Sequence, residues 1–213
     1  MDRIRILIAD DHPVVRQGLR TFLSTCPDLE VVGEATNGFT TLDQVRALRP
    51  DVVLLDVRMP GLSGIEAAHR LRRAHPEVKV ILFTTYDDEE YLFGALRVGV
   101  HAYLLKSSSH DTLAAAIRSV YAGERLLSPP LVDKVLSRFE ELARAKAQQD
   151  SGLTEQEIQI LQAMEEGASN KEIADRLHWS EITVKRKVQD IFEKLGVDNR
   201  VKAVAEAIRR GLI

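Results

Sequence analysis

The sequence predicts an α/β fold, a doubly wound open sheet of five parallel strands, followed by an all-α unit of four helices. Three observations predict it. Over roughly the first 120 residues, short apolar runs alternate with amphipathic segments, which is a βα repeat by hydrophobic period. Four of the five runs are rich in Val, Ile and Leu with little alternation, as strands covered on both faces require. Beyond about residue 150 the apolar residues recur only at helical spacing, behind capping signals.

The strand segments are Ile4–Ala9, Val31–Gly33, Val52–Leu55, Val78–Phe83 and Ala102–Leu105. The second is short and runs into Glu34, which suits an edge. A first helix begins near Pro13, a favoured first-turn residue, and turns Val15, Leu19, Phe22 and Leu23 inward. A second spans about Thr40 to Leu48. Ser63 with Glu66 forms a capping box for a third, and the acids Asp87 to Glu90 suit the positive start of a fourth. A fifth begins near Ser109 and ends before Gly123. Five βα units without hairpin signals require right-handed crossovers.

Pro129-Pro130 separates this region from a connector in which Leu131, Val135, Phe139 and Leu142 recur at helical spacing. That stripe either packs on its own chain or forms a dimer seam. Thr154 with Glu157 then caps a helix carrying Leu153, Ile158, Leu161 and Met164 as far as Gly167. A short helix Asn170–Leu177 follows, then one capped by Ser180 that runs to Leu195, and a last one over Val201–Arg210. Two helices joined by a tight turn, the second basic, carry the helix-turn-helix signature. The expected division is 1–124, 125–149 for the helical linker, and 150–213.

The 213 residues carry a net charge of −3, with 45% hydrophobic and 29% charged residues, an ordinary globular balance. Residues 151–213 hold 10 Lys/Arg against 11 Asp/Glu, so the tail lacks a broad basic footprint and has room only for a local one. Cys26 is the single cysteine, which excludes an internal disulfide and suits a reducing cytosol. No apolar run reaches the roughly 18 residues of a membrane span. The stretch Met1-Asp2-Arg3-Ile4 leads directly into a strand without a signal-peptide pattern, so a cytoplasmic protein without membrane partners is expected. P-loop, GxGxxG and zinc spacings are absent, which weakens a nucleotide-binding reading.

Ligands of open parallel sheets bind beyond the carboxyl ends of the strands. Those ends carry Asp10-Asp11, Asp56, Thr84-Thr85 and Lys106. Clustered carboxylates repel unless a cation joins them, and hard oxygen ligands suit Mg²⁺. A carboxylate beside that ion can accept a phosphoryl group, Lys106 can offset charge on its oxygens, and Thr84 can hydrogen-bond one of them. Each residue alone reads as a cap, a turn or a solvated charge. Together, at successive strand ends, they read as a site.

These segments resemble a known family. Ile8-Ala9-Asp10-Asp11-His12, Leu54-Leu55-Asp56-Val57-Arg58-Met59-Pro60-Gly61, Phe83-Thr84-Thr85 and Ala102-Tyr103-Leu104-Leu105-Lys106 are similar to the receiver domain of two-component response regulators. The resemblance implies the flavodoxin-like strand order 2-1-3-4-5 and Asp56 as phosphoacceptor. It implies an Mg²⁺ held by Asp11, Asp56 and the Arg58 backbone carbonyl, with Asp10 acting mostly through water. Thr84 and Tyr103 would be the switch pair, and Thr85 would lie beside the phosphoryl group. His12 belongs to the family's stretch without carrying phosphate. Ser107 and Thr85 depart from the family's usual proline and small residue.

Residues 153–213 resemble the LuxR-type helix-turn-helix through Ser169-Asn170-Lys171-Glu172-Ile173-Ala174, Thr183-Val184-Lys185 and Lys194-Leu195-Gly196-Val197. Receiver plus this module is the NarL/FixJ arrangement. It implies a transcriptional regulator of double-stranded DNA, not an enzyme, phosphorylated by a sensor histidine kinase. The basic helix would enter the major groove. Thr183, Lys185, Arg186 and Lys187 would reach bases or phosphates, and Asn170 and Lys171 the backbone. Lys187 stands where the family often has histidine. Homodimerisation would involve Val201, Ala205 and Ile208, which equally suit a core. Two other functions compete: a phosphatase using Asp56 as transient nucleophile, and a DNA-binding dimer indifferent to phosphate.

Overall fold

The computed structural model describes residues 3–213, so Met1 and Asp2, where the leader was sought, lie outside the described residues. The chain forms two compact units, Met1–Lys134 and Val135–Ile213.

The first unit alternates strands and helices. They run β1 (Ile4–Ala9), α1 (Pro13–Ser24), β2 (Leu29–Ala35), α2 (Gly38–Leu48), β3 (Val52–Leu55), α3 (Gly64–Ala74), β4 (Lys79–Thr84), α4 (Glu89–Val98), β5 (Ala102–Leu105) and α5 (His110–Tyr121). All strand pairs are parallel, in the order β2-β1-β3-β4-β5, with a further strand beyond β5. Ile6, Ile8, Leu54 and Ile81 on one face, and Leu7, Val53, Leu55 and Leu82 on the other, are at most 2% exposed, as a sheet covered on both sides requires.

That further strand corrects the expected count of five. β6 (Leu126–Leu127) pairs in parallel with Ala102 and Tyr103, within the stretch read as helical linker. Two residues carry no period, so the pattern could not announce it. It leaves β2 and the two-residue β6 as the sheet edges; so short an edge offers little to a foreign strand. α2 also starts earlier than expected. Asn37 caps it by accepting from the Thr40 N–H at 2.9 Å, with Thr40 in the box position usually held by Glu or Gln.

α6 (Pro129–Ser151) is a single helix of 23 residues, longer than its apolar stripe suggests. Leu131 is buried at its start, whereas Leu136, Phe139 and Leu142 are exposed. The second unit adds α7 (Glu155–Glu165), α8 (Asn170–Leu177), α9 (Glu181–Leu195) and α10 (Arg200–Arg209). Ile160, Leu161, Ile173, Val184, Ile191, Ala203, Ala207 and Leu212 are completely buried in its core. Capping boxes at Thr154 and Ser169, and the Ser180 hydroxyl at α9, satisfy the first N–H groups of three helices. Trp179 packs against this core at the turn between α8 and α9.

Candidate functional site: an acidic pocket and a basic helix

Strand register builds the first site. Ala9 lies opposite Leu55, and Leu55 opposite Leu82, so Asp10 and Asp56 leave the sheet side by side. Thr84 lies opposite Leu105, which brings Lys106 to the same edge. The expected residues thereby meet. Lys106 Nζ lies 2.6 Å from both Asp10 Oδ2 and Asp56 Oδ2, and both aspartates are almost wholly buried. Burial alone would push the Lys106 ammonium toward deprotonation. Its hydrogen bonds to Asp10 and Asp56 outweigh that and raise its pKa above the ordinary lysine value.

Asp56 Oδ1 accepts the Val57 N–H at 2.7 Å, and its backbone N–H donates to the Ala9 carbonyl at 2.8 Å. Gly64 secures the loop that follows Asp56. A Cβ there would sit 1.8 Å from the Asp56 carbonyl oxygen, so only glycine lets α3 start this close. The signal for this close approach in the sequence is a glycine directly after the Ser63 cap, which the capping pattern alone does not single out.

The pocket still has donor capacity to spare. Ligand atoms of Asp10, Asp11, His12 and Asp56 all lie within 4.8 Å of one another. Asp11 Oδ1 is shielded from water and accepts no hydrogen bond, although His12 Nδ1 approaches to 2.8 Å. One lysine against three carboxylates leaves net negative charge. A carboxyl oxygen without a partner beside it is what an oxygen-seeking divalent cation would use, so the residues fit Mg²⁺.

The groups around the mouth are also assembled. Thr84 is fully buried, and its hydroxyl oxygen accepts the Tyr86 N–H at 3.3 Å. Tyr103 points inward, 1% exposed, and donates to the Tyr86 carbonyl at 2.8 Å. Burial and then the nearby Asp88 and Asp56 push its phenol far above the ordinary range. Thr85 is exposed at the rim. The Arg58 guanidinium stands 4.6 Å over the Tyr86 ring and 5.3 Å from that of Tyr91, and its Nε donates to the Tyr91 hydroxyl at 2.8 Å. The sequence singles out Arg58 for its backbone carbonyl alone and carries no local signal for this stack.

In the second unit, α9 has two faces. Val184, Ile191 and Leu195 point into the core. Lys185 and Arg186 are exposed, with Lys185 Nζ 2.9 Å from Glu181 Oε1. Thr183 is half-buried; its N–H donates to the Ser180 hydroxyl at 3.1 Å, and the two hydroxyls lie 2.8 Å apart. Lys171 is exposed on the first turn of α8, and Asn170 beside it is half-buried. Lys187 differs from its basic neighbours. Its ammonium lies 3.4 Å from Oε1 of Glu157, a buried carboxylate that also holds Lys194 at 2.6 Å. Burial opposes ionisation of Glu157, but hydrogen bonds from Lys194 and Thr154 hold its pKa below the ordinary value. Val201 and Ile208 are 78% and 52% exposed and Ala205 is exposed with them, so Ala203 and Ala207 fill the core instead.

An acidic pocket at the carboxyl edge of a doubly wound sheet, joined in one chain to a helix-turn-helix, defines a signal receiver coupled to a DNA-binding module. Residues 6–118 match the response regulator receiver domain, and residues 151–207 match the bacterial regulatory proteins of the luxR family. The chain therefore belongs to the response regulators with a LuxR-type DNA-binding domain, the NarL/FixJ type. It is 39% identical to the transcriptional regulatory protein YxjL of Bacillus subtilis, covering 100% of this chain and 98% of that protein. It is 36% identical to the response regulator VraR of Staphylococcus epidermidis, covering 99% of each. Among solved structures it is similar to the response regulator ChrA of a heme-sensing two-component system, with 36% identity, a TM-score of 0.56 and full coverage of both chains. The RcsB response regulator of Salmonella typhimurium superimposes with a TM-score of 0.61 at 26% identity, covering 98% of this chain and 100% of that one. No helix among the described residues is long and apolar enough to cross a membrane.

Proposed function

We propose that this regulator is switched by phosphorylation of Asp56 and then binds its DNA sites as a homodimer. The observation that carries the proposal is the buried Asp10–Asp56–Lys106 cluster, one lysine against two carboxylates with Asp11 beside them. An Asp56 carboxylate oxygen, Oδ2 once Lys106 has moved off it, attacks the phosphorus of a phosphohistidine on a sensor kinase. The P–N bond breaks, and the imidazole leaves with the electron pair and takes up a proton. Asp56 holds the new acyl phosphate. Mg²⁺, when bound, supplies charge neutralisation and orientation to the transferring group. Asp11, Asp56 and the Arg58 backbone carbonyl would hold it, with Asp10 acting through water.

Lys106 must leave its two carboxylates to meet a phosphoryl oxygen. Thr84 donates its hydroxyl proton to the same group, and Thr85 borders it. Turning that hydroxyl toward the phosphoryl group pulls on the Tyr86 N–H it accepts, and on the turn whose carbonyl anchors Tyr103, and so reaches the face beside α4. We assign 1–124 to the receiver, 125–149 to the helical linker and 150–213 to the DNA-binding domain, in a cytoplasmic protein. Asn170, Lys171, Thr183, Lys185 and Arg186 are the groups offered to DNA, and Lys187 reaches it only by leaving Glu157. The exposed Val201, Ala205 and Ile208 provide the dimer contact.

The test is DNA affinity of the full chain with Mg²⁺, before and after acetyl phosphate, read together with oligomeric state. Phosphorylation should raise affinity tenfold or more and favour the dimer, and Asp56→Asn should remove the response. An unchanged affinity on phosphorylation would overturn the switch and leave a phosphate-independent DNA binder.

A further inference from the structure

Ile182, in the first turn of α9, is 80% exposed, more than any other large apolar side chain described in the second unit. It is not isolated. Ile182, Lys185, Arg186 and Gln189 follow at helical spacing i, i+3, i+4 and i+7, and all four are exposed, so they form one stripe. The opposite stripe, with Val184 and Ile191, is fully buried, which fixes the rotation of the helix. The cap fixes its first turn as well, because the Ser180 hydroxyl accepts the Thr183 N–H.

We propose that Ile182 reads a thymine by covering its C5-methyl group in the major groove. The inference rests on the DNA-binding reading above and deepens it. The occupant of this stripe is anionic, because Arg186 and Lys185 flank the isoleucine. The Glu181 carboxylate that meets Lys185 forms only an exposed pair with it, which an anion can displace, and Lys187, held by buried Glu157, lies off the stripe. Duplex DNA combines that charge with an apolar target. In the major groove the thymine methyl is the distinctive apolar group among hydrogen-bonding base edges. Recognition helices present their first turns to base edges, which is where Ile182 stands. A β-branched side chain in a helix holds one dominant rotamer, so little is lost in ordering it at the contact. Thr183 is a weaker candidate, since its hydroxyl faces that of Ser180. Gln189, one turn further on, suits an adenine edge on the same stripe.

The test uses the full chain with Mg²⁺ and acetyl phosphate. A random-sequence duplex pool is selected for binding, and each thymine of the selected site is replaced in turn by deoxyuridine, which lacks only the methyl. At one thymine position the replacement should weaken wild-type binding about fourfold, the worth of one buried methyl. Ile182→Ala should bind the thymine site several-fold more weakly and be indifferent to that same replacement. Ile182→Val, which keeps the branch, should retain the sensitivity. Ile182 is so exposed that neither variant disturbs the core, and Trp179 fluorescence verifies that fold. Equal deoxyuridine penalties in wild type and Ile182→Ala at every position, or a selected site with no sensitive thymine, would overturn the proposal while leaving DNA binding intact. A pool that yields no selected site would overturn the DNA-binding reading itself.

Discussion

Two buried charge clusters, one in each unit, both set carboxylates against lysines and end in opposite states. In the second unit Glu157 is fully served: Thr154 N–H donates at 2.8 Å, Lys194 lies at 2.6 Å and Lys187 at 3.4 Å. Its positive neighbours outnumber it, and every acceptor is used. In the receiver one lysine faces Asp10 and Asp56, Asp11 stands beside them, and a shielded Asp11 oxygen accepts nothing. The first cluster is closed and holds helices together. The second is short of positive charge, which suits the cation that the proposed phosphoryl transfer to Asp56 would use. Buried polar groups without partners are costly, so such a shortage marks function more readily than stability.

The largest effect should come from opening the closed cluster. Glu157→Ala removes the α7 capping box and the charge-assisted hydrogen bonds of Lys194, and should lower the stability of the second unit by about 2–3 kcal/mol. Trp179 is the only tryptophan and packs on that core, so its fluorescence in urea reports this unit alone. A loss below about 0.5 kcal/mol would show that the cluster is not structural.

Filling the open cluster should do the reverse to the other unit. At tenfold its dissociation constant, Mg²⁺ should stabilise the receiver by about 1.4 kcal/mol, and EDTA should abolish the gain. The Trp179 signal should not move. Calorimetry resolves the two transitions, and equal stabilisation of both would remove the distinction.

Acid should separate the units as well. His101 is buried, and its Nδ1 accepts the Val80 N–H at 3.1 Å. Burial first, then Arg72, Lys79 and Arg125, lower its pKa from 6.5 to about 4. A lowered folded-state pKa gives stability that is complete above 6.5 and is lost as pH falls toward 4, at no more than about 1.4 kcal/mol per pH unit. Glu157 is also lowered, but from the glutamate value of 4.5, so its contribution survives until the carboxylate range. The receiver should therefore weaken first between pH 6.5 and 4.5. Simultaneous acid loss in both units would contradict this order.

The smallest effect concerns an exposed pair. Lys185→Ala breaks only the Glu181–Lys185 contact on the surface of α9 and should cost less than about 0.5 kcal/mol. DNA binding should weaken markedly, with a shallower salt dependence. Urea unfolding and binding across salt concentrations separate the two.

Much of this was legible in the sequence, because both units announce themselves by period and caps. The Thr154–Glu157 and Ser63–Glu66 boxes, the Asn170–Leu177 helix and the Asp10, Asp56 and Lys106 strand ends all follow from local pattern. What pattern could not carry was pairing across the chain. β6 is two residues defined only by its neighbour β5. Glu157 read as a cap, and its hold on Lys187 and Lys194, 30 and 37 residues away, needed the fold. The Arg58–Tyr86–Tyr91 stack and the Gly64 approach to Asp56 are likewise contacts between segments.

The most direct measurement is phosphoryl transfer to the full chain from acetyl phosphate, followed by intact-mass and peptide mass spectrometry. With Mg²⁺ present, wild type should carry one phosphoryl group on the Asp56 peptide, and EDTA or Asp56→Asn should eliminate it. Label retained by Asp56→Asn, or formed equally well in EDTA, would contradict the assignment of Asp56 and its cation-dependent pocket.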